Sequence, residues 1–468
     1  MSYNKITPDI LAKITAIVGE DGVITDHAVL EKYSHDETED LNYSPEVAVK
    51  PRTPEEISQL LKLCNEYFIP ATPRGGGTGL TGGALAVSGG LLISMECFNR
   101  IITIDEQSMQ AIVEPGVITE VFMNAVATKG MFYPIDPASK GSCFLGGNVA
   151  NGSGGPRVVK YGTIRDYILN LEVVLPSGDI IWTTSNTLKF ASGYNLTQLM
   201  IGSEGTLGIV TKIVTKLIPL PQLNVLLLAA FSSNDDACAA VSAIFRAGIV
   251  PSALEYMERN CIVWVKNYTD IKFDLKDNDE AFLLIEVDGN DKEAIFAQCE
   301  KINMVLEEFG CKDTLFADTA AQKAELWRIR RTIGESVKQH GVYKKEDTVV
   351  PRALLAELVK GVKETGAKYG FESVCFGHAG DGNMHINIIK GKMSDADWDN
   401  RLNDAIAEIF ELTVALGGTI SGEHGIGLVQ KEFLPIRYNE VHFELLRGIK
   451  KVFDKNNILN PGKIFDVR

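Results

Sequence analysis

The chain has 468 residues, 45% of them hydrophobic, and a formal net charge of −15 at pH 7. This length exceeds what one ordinary hydrophobic core organises, so two or three domains are predicted. The acidic balance and the lack of any lysine- and arginine-rich cluster exclude nucleic acid as an expected partner, because binding to phosphates requires grouped cations.

Cysteine usage and hydropathy indicate the compartment. The eight cysteines are scattered and form no C-x-x-C pair, which argues against an iron–sulfur cluster or a cysteine-bound zinc. Free thiols are typical of a reducing compartment. Residues 1–13 lack the apolar core of a signal peptide, and the longest apolar run, 225–231, is too short to cross a bilayer. We therefore expect a cytoplasmic protein with no transmembrane segment.

Short strands alternate with helices in the first half of the chain. Val47–Val49 predicts a strand, and Thr53 predicts the cap of a helix that starts at Pro54 with an acidic first turn. A second strand leads into Pro73, and further strands are predicted at 91–95, 111–114, 171–175, 180–183 and 209–217. The prolines at 219 and 221 mark a predicted domain boundary, because proline interrupts helices and strands alike.

The second half of the chain continues with longer elements. Strands are predicted at 225–231, 282–287, 374–376 and 384–389, and helices at 235–247, 292–309, 319–339, 395–416 and 440–454. No internal repeat is present. This mixture of strands and helices predicts an α+β or α/β sandwich architecture.

Three glycine-rich runs lie in the first half, at 75–79, 146–155 and 202–208. Residues 77–82 fit G-x-G-x-x-G, but 83–90 is too rich in glycine to begin a helix, which argues against a Rossmann fingerprint. Consecutive small residues can instead curl their N–H groups around an anion or press backbone against a flat ligand. Three such runs in one domain predict a large phosphate-bearing ligand, whereas any one of them alone would be an ordinary turn.

Two polar runs in glycine-rich surroundings, 377–385 and 421–425, contain three of the seven histidines. His378 and His385 flank a predicted turn, and with Glu423 they supply two imidazoles and a carboxylate suited to zinc, Mn(II) or Fe(II). His385 and Asn387 fall on one face of a predicted strand. The side chains of Glu423 and His424 are expected to diverge, so that one binds the metal while the other faces a substrate.

The glycine-rich runs, together with Asn460-Pro461, resemble the FAD-binding signatures of the vanillyl-alcohol-oxidase superfamily. The two histidine-containing runs resemble its D-2-hydroxyacid dehydrogenase branch, which includes D-lactate dehydrogenases, the flavoprotein subunit of glycolate oxidase and D-2-hydroxyglutarate dehydrogenase. The resemblance extends from about Asp36 to Phe465. It implies an FAD-binding domain of two α+β subdomains at 1–219, an α+β substrate domain at 220–420, and a helical segment at 421–468 that returns to the flavin.

The resemblance also implies roles for individual residues. FAD would be bound noncovalently, since Thr78 stands in the first loop and no histidine is there to attach it. The implied FAD-binding residues are Arg74, Gly75, Gly76, Gly77, Thr78, Gly79, Pro137, Ser142, Gly147, Asn148, Gly154, Gly155, Ile209 and Asn460.

A 2-hydroxy acid substrate requires cations for its carboxylate. Arg330, three residues after Trp327 on a predicted helix, matches the family's carboxylate-binding arginine, and Lys345 or equally Lys344 supplies a second cation. The implied reaction has a metal, zinc favoured, chelating the substrate, His424 as general base, and hydride transfer to flavin. The stretch 346–352 favours D-lactate or glycolate, with 2-hydroxyglutarate as the alternative.

Reduced flavin requires an electron acceptor, and the resemblance implies an iron–sulfur subunit, an electron-transferring flavoprotein or a quinone. Such a partner would place the protein at the membrane periphery. A homodimer is left open. The rival from another class is a flavin-free metallohydrolase that uses the same ligands, and a third hypothesis is a flavin-binding scaffold that has lost activity. The glycine-rich half argues against the hydrolase, and the intact set His378, His385, Glu423 and His424 argues against the scaffold.

Overall fold

The computed structural model describes residues 3–467. Its strands are β1 (Val23–Ile24), β2 (Val47–Val49), β3 (Ala71–Arg74), β4 (Leu91–Ser94), β5 (Ile101–Asp105), β6 (Gln110–Val113), β7 (Met131–Phe132), β8 (Ile168–Val174), β9 (Ile180–Trp182), β10 (Ile209–Lys216), β11 (Ile218–Pro219), β12 (Leu223–Phe231), β13 (Ala253–Glu258), β14 (Ala281–Gly289), β15 (Thr314–Ala317), β16 (Tyr343–Val349), β17 (Glu372–Gly377) and β18 (Asn383–Ile389).

The α-helices are α1 (Pro8–Val18), α2 (His27–Leu30), α3 (Pro54–Tyr67), α4 (Thr119–Ala127), α5 (Leu145–Asn151), α6 (Val158–Tyr161), α7 (Leu196–Met200), α8 (Asn234–Arg246), α9 (Arg259–Tyr268), α10 (Lys292–Glu308), α11 (Ala320–His340), α12 (Leu355–Tyr369), α13 (Asp395–Ala415), α14 (Leu434–Arg437) and α15 (Glu440–Phe453). Short 3₁₀ helices lie at Glu20–Gly22, Glu31–Tyr33, Ile164–Asp166, Arg352–Leu354 and Lys431–Phe433.

The chain divides into two compact units. Unit 1 comprises 1–154, 163–220 and 423–468, and unit 2 comprises 155–162 and 221–422. The eight residues that contain α6 therefore belong with the second unit although they lie within the first half of the sequence. The last 46 residues return to the unit in which the chain begins.

Unit 1 is built on two sheets. The four-stranded sheet has the order β1-β2-β4-β3, with β2 and β3 parallel to the central β4. Helix α3 covers it, and this helix begins where predicted because the Thr53 side chain accepts a hydrogen bond from the Glu56 N–H at 3.2 Å. The five-stranded sheet has the order β5-β6-β10-β8-β9 and is antiparallel.

The C-terminal segment is part of the first sheet's core. Leu459 forms a parallel bridge to Ala71 on β3, and the Ala71 N–H donates to the Ile458 carbonyl at 2.8 Å. Ile458 and Leu459 are fully buried in one hydrophobic cluster with residues of β2, β4 and α3. These contacts within unit 1 hold Asn460 next to the end of β3.

Unit 2 is built on one seven-stranded antiparallel sheet with the order β15-β12-β14-β13-β17-β18-β16. Helices α9 and α11 cover one of its faces through a cluster that includes Trp264, Trp327, Ile333 and Phe376. Helix α11 starts with a capping box in which Thr319 and Gln322 satisfy each other's backbone N–H groups. This face is the one that carries the candidate site residues.

Most predicted elements are present, often to within two residues, and the mixed α+β class is confirmed. The run at 77–82 leads into turns and not a helix, as the argument against a Rossmann loop required. Three features differ. The small-residue run at 146–155 begins inside helix α5, Pro219 lies within the short strand β11 that pairs with β7, and the charged stretch Tyr343–Val349 is a strand.

The cysteine and hydropathy predictions can be compared with the structure. All eight cysteines are free thiols, and seven of them are buried. Within residues 3–467, no helix is both long enough and apolar enough to cross a bilayer.

Candidate functional site

One face of the unit 2 sheet carries a group of polar side chains beneath α11. Strand register places Asp347 opposite His385 and Lys345 opposite Asn387, and residues directly opposite each other share a face. Glu255 and Glu286 lie on the same face of β13 and β14, since Glu286 is opposite Ala253. We call this set the polar face: Glu255, Glu286, Lys345, Asp347, His385 and Asn387.

His378 follows directly on β17, at the start of a tight turn that reverses the chain into β18. The Asn383 N–H donates to the His378 carbonyl at 3.1 Å, and Gly382 has a φ of +88°, which glycine adopts without strain. The predicted reversal brings the two imidazoles together, with ring centroids 5.3 Å apart at 84°. Both histidines are buried, so their nitrogens can bind the same metal ion or form a hydrogen bond with each other.

The buried carboxylate of Glu255 holds His378 in place. The His378 Nδ1 lies 2.8 Å from Oε1 and 2.9 Å from Oε2 of Glu255, which directs Nε2 away from the carboxylate. Burial acts to raise the pKa of Glu255, but the neighbouring His378 and Arg330 outweigh it and lower that pKa below its usual value. The carboxylate therefore forms a hydrogen bond with His378 and an ion pair with Arg330.

Arg330 reaches the polar face from α11, as its predicted role requires. Its Nη2 lies 2.7 Å from the Glu255 Oε2, and its guanidinium stands 4.9 Å from the centre of the Phe376 ring. Trp327, one turn earlier, donates its Nε1–H to Glu286 at 2.9 Å. The buried Nε–H of Arg330 has no acceptor within the part of the chain that the structure describes. A buried donor of this kind suits an anionic ligand.

Asp347 joins the polar face to the segment that precedes Glu423. Its Oδ1 accepts from the Asn383 side chain at 2.6 Å, and its Oδ2 accepts from the Gly422 N–H at 2.9 Å. His385 Nδ1 is 3.6 Å from Oδ1, too far for a direct hydrogen bond. Glu423 is the next residue after Gly422, so its Cα lies about 3.8 Å from the Gly422 Cα.

Lys345 and Asn387 are cross-strand neighbours, which the sequence alone did not indicate. Lys345 is half-buried on β16, and the Asn387 amide donates to the Val374 carbonyl at 3.2 Å. Lys344, the other lysine considered for the substrate, is opposite Ile388 and so lies on the other face of the sheet. Of the two lysines, the strand register therefore favours Lys345 as the second cation for the substrate carboxylate.

In unit 1, the first two glycine-rich runs pack against each other. A Cβ at Gly76 would stand 2.7 Å from the Ser142 carbonyl oxygen, and one at Gly75 would stand 3.8 Å from the backbone of Gly147. Arg74 is buried, and its guanidinium donates to the backbone carbonyl of His35 at 2.8 Å. Burial lowers the pKa of Arg74. This arginine therefore holds the neighbouring loop, and its implied part in FAD binding stays a prediction.

The third run, 202–208, contacts the second. We call the three glycine-rich runs, together with Asn460, the glycine cradle. The N–H groups of Gly202 and Glu204 donate to the carbonyls of Val149 and Ala150, each at 2.9 Å. Asn460 donates from Nδ2 to the Gly83 carbonyl at 3.0 Å and to the Glu204 carbonyl at 2.8 Å. The runs and Asn460 are thus contiguous, and their many glycines leave backbone N–H groups uncovered by side chains, which suits a phosphate-bearing ligand.

The remaining predicted FAD-binding residues occupy structural positions around this cradle. Asn148 is buried and donates to the Thr119 hydroxyl at 2.7 Å, and Ser142 bonds the Ser139 carbonyl at 3.3 Å. Ile209 is buried at the start of β10. Gly154 is the last residue of its stretch of unit 1, and Gly155 is the first of unit 2. Pro137 is half-buried in the loop before Ser142.

His424 lies in a turn that unit 1 anchors through its backbone. The His424 carbonyl accepts from the Thr81 hydroxyl and from the Asn151 amide, each at 3.3 Å. The His424 Nε2 lies 4.0 Å from the Glu423 Oε1, and the assignment of the two side chains to different tasks stays a prediction. The residues stand in an irregular bend before Gly425, where the alternation of a strand does not apply.

Glu204 fixes the end of this turn. Its carboxylate accepts from the N–H groups of Ile426 at 2.8 Å and Gly427 at 2.7 Å. Burial raises the pKa of Glu204 to about 7, against the lowering effect of these two hydrogen bonds. Burial likewise lowers the pKa of Lys463 to about 8, with the nearby Glu204 acting to raise it.

Several of these residues were missed in the sequence. Glu255 and Glu286 each stand in an otherwise apolar strand, and a lone carboxylate in such a run is a usable signal of a buried polar role. Asp347 stands in a charged stretch whose composition does not set it apart from its neighbours. Thr81, Asn151 and Glu204 act through distant backbone groups, and no local pattern would have found them.

The two adjacent glycines of α5 provide a test of the cradle. A Cβ at Gly146 would overlap the Cβ of Pro115, so Gly146→Ala is expected to lower the free energy of unfolding by about 1–3 kcal/mol. A Cβ at Gly147 meets no heavy atom within 4 Å, so Gly147→Ala should leave stability unchanged or raise it by up to about 1 kcal/mol. Urea denaturation of both apoproteins measures this, and equal losses would contradict it.

Comparison with known proteins places the chain in a family. Residues 45–184 match the family described as FAD binding domain, and residues 220–464 match the family described as FAD linked oxidases, C-terminal domain. The chain belongs to the FAD-linked oxidases. As a member of this family it is an FAD-linked oxidoreductase, and the predicted resemblance to the vanillyl-alcohol-oxidase superfamily is confirmed.

Relatives of this FAD-linked oxidase match over nearly the whole chain. It is 39% identical to the glycolate oxidase subunit GlcD of Bacillus subtilis (98% of this chain, 97% of the relative) and 36% identical to a D-lactate dehydrogenase of Anaerostipes hadrus (99% and 98%). It is 30% identical to a D-2-hydroxyglutarate dehydrogenase of Stutzerimonas stutzeri (98% and 99%).

Solved structures show the same fold at low sequence identity. Substrate-bound p-cresol methylhydroxylase is 19% identical with a TM-score of 0.79, covering 99% of this chain and 98% of that one. The 4-ethylphenol oxidase of Gulosibacter chungangensis is 17% identical with a TM-score of 0.78, covering 100% and 99%. At these identities the likeness concerns the fold alone.

Proposed function

We propose that this protein is an FAD- and divalent-metal-dependent dehydrogenase that oxidises a small D-2-hydroxy acid to the 2-oxo acid. The observation that carries the proposal is the buried Arg330, whose Nε–H has no acceptor among the described residues, on the same polar face as the His385 imidazole. A buried cation beside groups of the kind that bind divalent metals suits a substrate that carries both a carboxylate and a hydroxyl.

The proposed metal ligands are His378, His385 and Glu423, with zinc favoured and manganese or iron as alternatives. The two imidazoles are 5.3 Å apart, and Glu255 directs the His378 Nε2 outward, as a metal-binding histidine requires. The Gly422 N–H bond to Asp347 fixes the backbone immediately before Glu423. Two imidazoles and one carboxylate leave coordination positions open for a substrate.

Each polar residue then has a role in binding or proton transfer. When bound, the flavin would supply a hydride acceptor and the metal a Lewis acid for the substrate hydroxyl. Arg330 and Lys345 neutralise the substrate carboxylate, and Asn387 orients it from the same sheet face. His424 takes the hydroxyl proton as general base, from a turn that Thr81, Asn151 and Glu204 hold rigid.

D-lactate and glycolate are the favoured substrates. Gly334 lies one turn after Arg330, where a Cβ would meet nothing within 4 Å, so this position leaves space and offers no hydroxyl to a second carboxylate. Relatives named for glycolate and D-lactate are 39% and 36% identical, against 34% and 30% for two relatives named for D-2-hydroxyglutarate. Oxidation of D-2-hydroxyglutarate is the alternative activity.

The electrons require a separate acceptor, for which we propose an iron–sulfur subunit, an electron-transferring flavoprotein or a quinone. The rival hypothesis of a flavin-free metallohydrolase is not favoured. Residues 45–184 match an FAD binding domain, which a flavin-free hydrolase does not need.

Anaerobic mixing of the FAD-loaded protein with a panel of D- and L-2-hydroxy acids tests this proposal. We expect the flavin absorbance to bleach with D-lactate or glycolate, and not with L-lactate. Bleaching by D-2-hydroxyglutarate alone would favour the alternative substrate. A protein that binds FAD but is not reduced by any 2-hydroxy acid would contradict the proposal.

A further inference from the structure

Glu255 contacts two residues to which the proposed function gives different tasks. Its carboxylate lies 2.8 Å from the His378 Nδ1 and 2.7 Å from the Arg330 Nη2, and its side chain is completely buried. Each of these neighbours can act only as a donor toward an ionised carboxylate. The first is a proposed metal ligand, and the second is the proposed carboxylate-binding cation.

We infer that Glu255 is a positioning residue that fixes the His378 tautomer for metal binding and the Arg330 guanidinium for substrate binding at the same time. The inference rests on the proposed function. Because the carboxylate accepts the proton-bearing Nδ1, the Nε2 of His378 is left with its lone pair, which is the form that binds a metal. Because the same carboxylate holds Nη2, the guanidinium is restrained with its Nε–H edge left to another anion.

The two tasks depend on one chemical property, the number of acceptor oxygens. A glutamine at this position has nearly the same size but no charge and only one acceptor oxygen, so it cannot keep both the hydrogen bond to His378 and the ion pair with Arg330. One buried donor would then be left unpaired or the His378 ring would adopt the other tautomer. Glu255→Gln should therefore weaken metal binding and substrate binding together, although Glu255 itself touches neither ligand in the proposed site.

Glu258 provides a matched control on the same strand. It is also a buried carboxylate, with Lys363 at 2.7 Å and the Cys375 N–H at 2.9 Å, and it contacts neither His378 nor Arg330 in these bonds. Glu258→Gln removes a buried negative charge from β13 as Glu255→Gln does. Any loss that is only a general consequence of this removal should appear in both variants.

The experiment measures metal affinity in the full-length, FAD-loaded protein without substrate. Metal-free variants are titrated with Zn²⁺ against a competing chelator, and the visible bands of bound Co²⁺ report the ligand geometry. We expect Glu255→Gln to bind Zn²⁺ about 10- to 100-fold more weakly with altered Co²⁺ bands, and Glu258→Gln to match the wild type. The KM for the 2-hydroxy acid should also rise in Glu255→Gln under saturating metal.

A measurement on the wild-type protein does not depend on the folding of a variant. With ¹⁵N-labelled histidine, the His378 signals, assigned by their loss in His378→Gln, should show a protonated Nδ1 and a metal-bound Nε2 in the zinc-loaded protein. A proton on Nε2, or equal zinc affinities of Glu255→Gln and wild type, would overturn the inference and leave the proposed function intact. A wild-type protein that binds no divalent metal would overturn the proposed metal site and this inference with it.

Discussion

Replacement of His424 with alanine is expected to slow the reduction of flavin by a 2-hydroxy acid by about a hundred- to ten-thousand-fold, the usual contribution of a general base. The backbone at this position should stay in place, because Thr81 and Asn151 hold the His424 carbonyl and not its side chain. The loss should therefore fall on the proton transfer, and FAD content and zinc affinity should remain close to those of the wild type.

Stopped-flow measurement of anaerobic flavin bleaching gives the rate directly. His442→Ala is the control, since His442 is an exposed histidine on α15 that bonds Asn439 at 2.7 Å within the same helix end. It should bleach at the wild-type rate. If the His424→Ala protein also does so, another group accepts the hydroxyl proton and the proposed role of His424 is wrong.

Removal of the divalent metal is expected to reduce the bleaching rate by at least about a hundredfold while FAD stays bound, since a Lewis acid contributes several kcal/mol to such a step. The proposed metal ligands His378 and His385 lie outside the glycine cradle, since both belong to unit 2 and the cradle runs lie mainly in unit 1. The chelator-treated protein should therefore keep its flavin spectrum.

Adding metal back distinguishes the loss of the metal ion from irreversible damage to the protein by the chelator treatment. Stoichiometric Zn²⁺, Mn²⁺ or Co²⁺ should restore the rate, and the order of the three identifies the native preference. Chelator that has been saturated with Zn²⁺ beforehand serves as the control and should have no effect. Full activity in a protein from which metal analysis finds the divalent ions removed would eliminate the metal from the mechanism and leave Arg330 and His424 to act alone.

The local parts of the candidate site were predictable from the sequence. A glycine-rich turn and the alternation along a strand are decided within a few residues, so the residue pattern alone places His378 and His385 on either side of a reversal. The cap at Thr53 is local in the same way, and helix α3 begins directly after it. The glycine-rich runs also showed by their number that one large ligand was to be expected.

The partners of these residues were not predictable, because they depend on sheet order. Glu255 is 123 residues from His378 along the chain, and they meet only because β13 lies beside β17 in a sheet whose strands are not in sequence order. Strand β16 was missed since Lys344, Lys345 and Glu346 give it the composition of a solvent-exposed loop. Glu346 and Asp347 are buried because β16 pairs with β18, and the composition of β16 does not indicate this pairing.

The burial of Ile458 and Leu459 among the side chains of the first sheet has a consequence for how this protein is made. The ribosome adds these two residues more than 360 residues after β2, β3 and β4, along a chain synthesised from its N-terminus at about 5–20 residues per second. The first 220 residues thus lack part of their own hydrophobic core during translation. By contrast, 221–422 leaves the ribosome as one uninterrupted stretch that needs only eight earlier residues, 155–162, to complete its unit. The order of synthesis and the order in which the two cores become complete are therefore opposite.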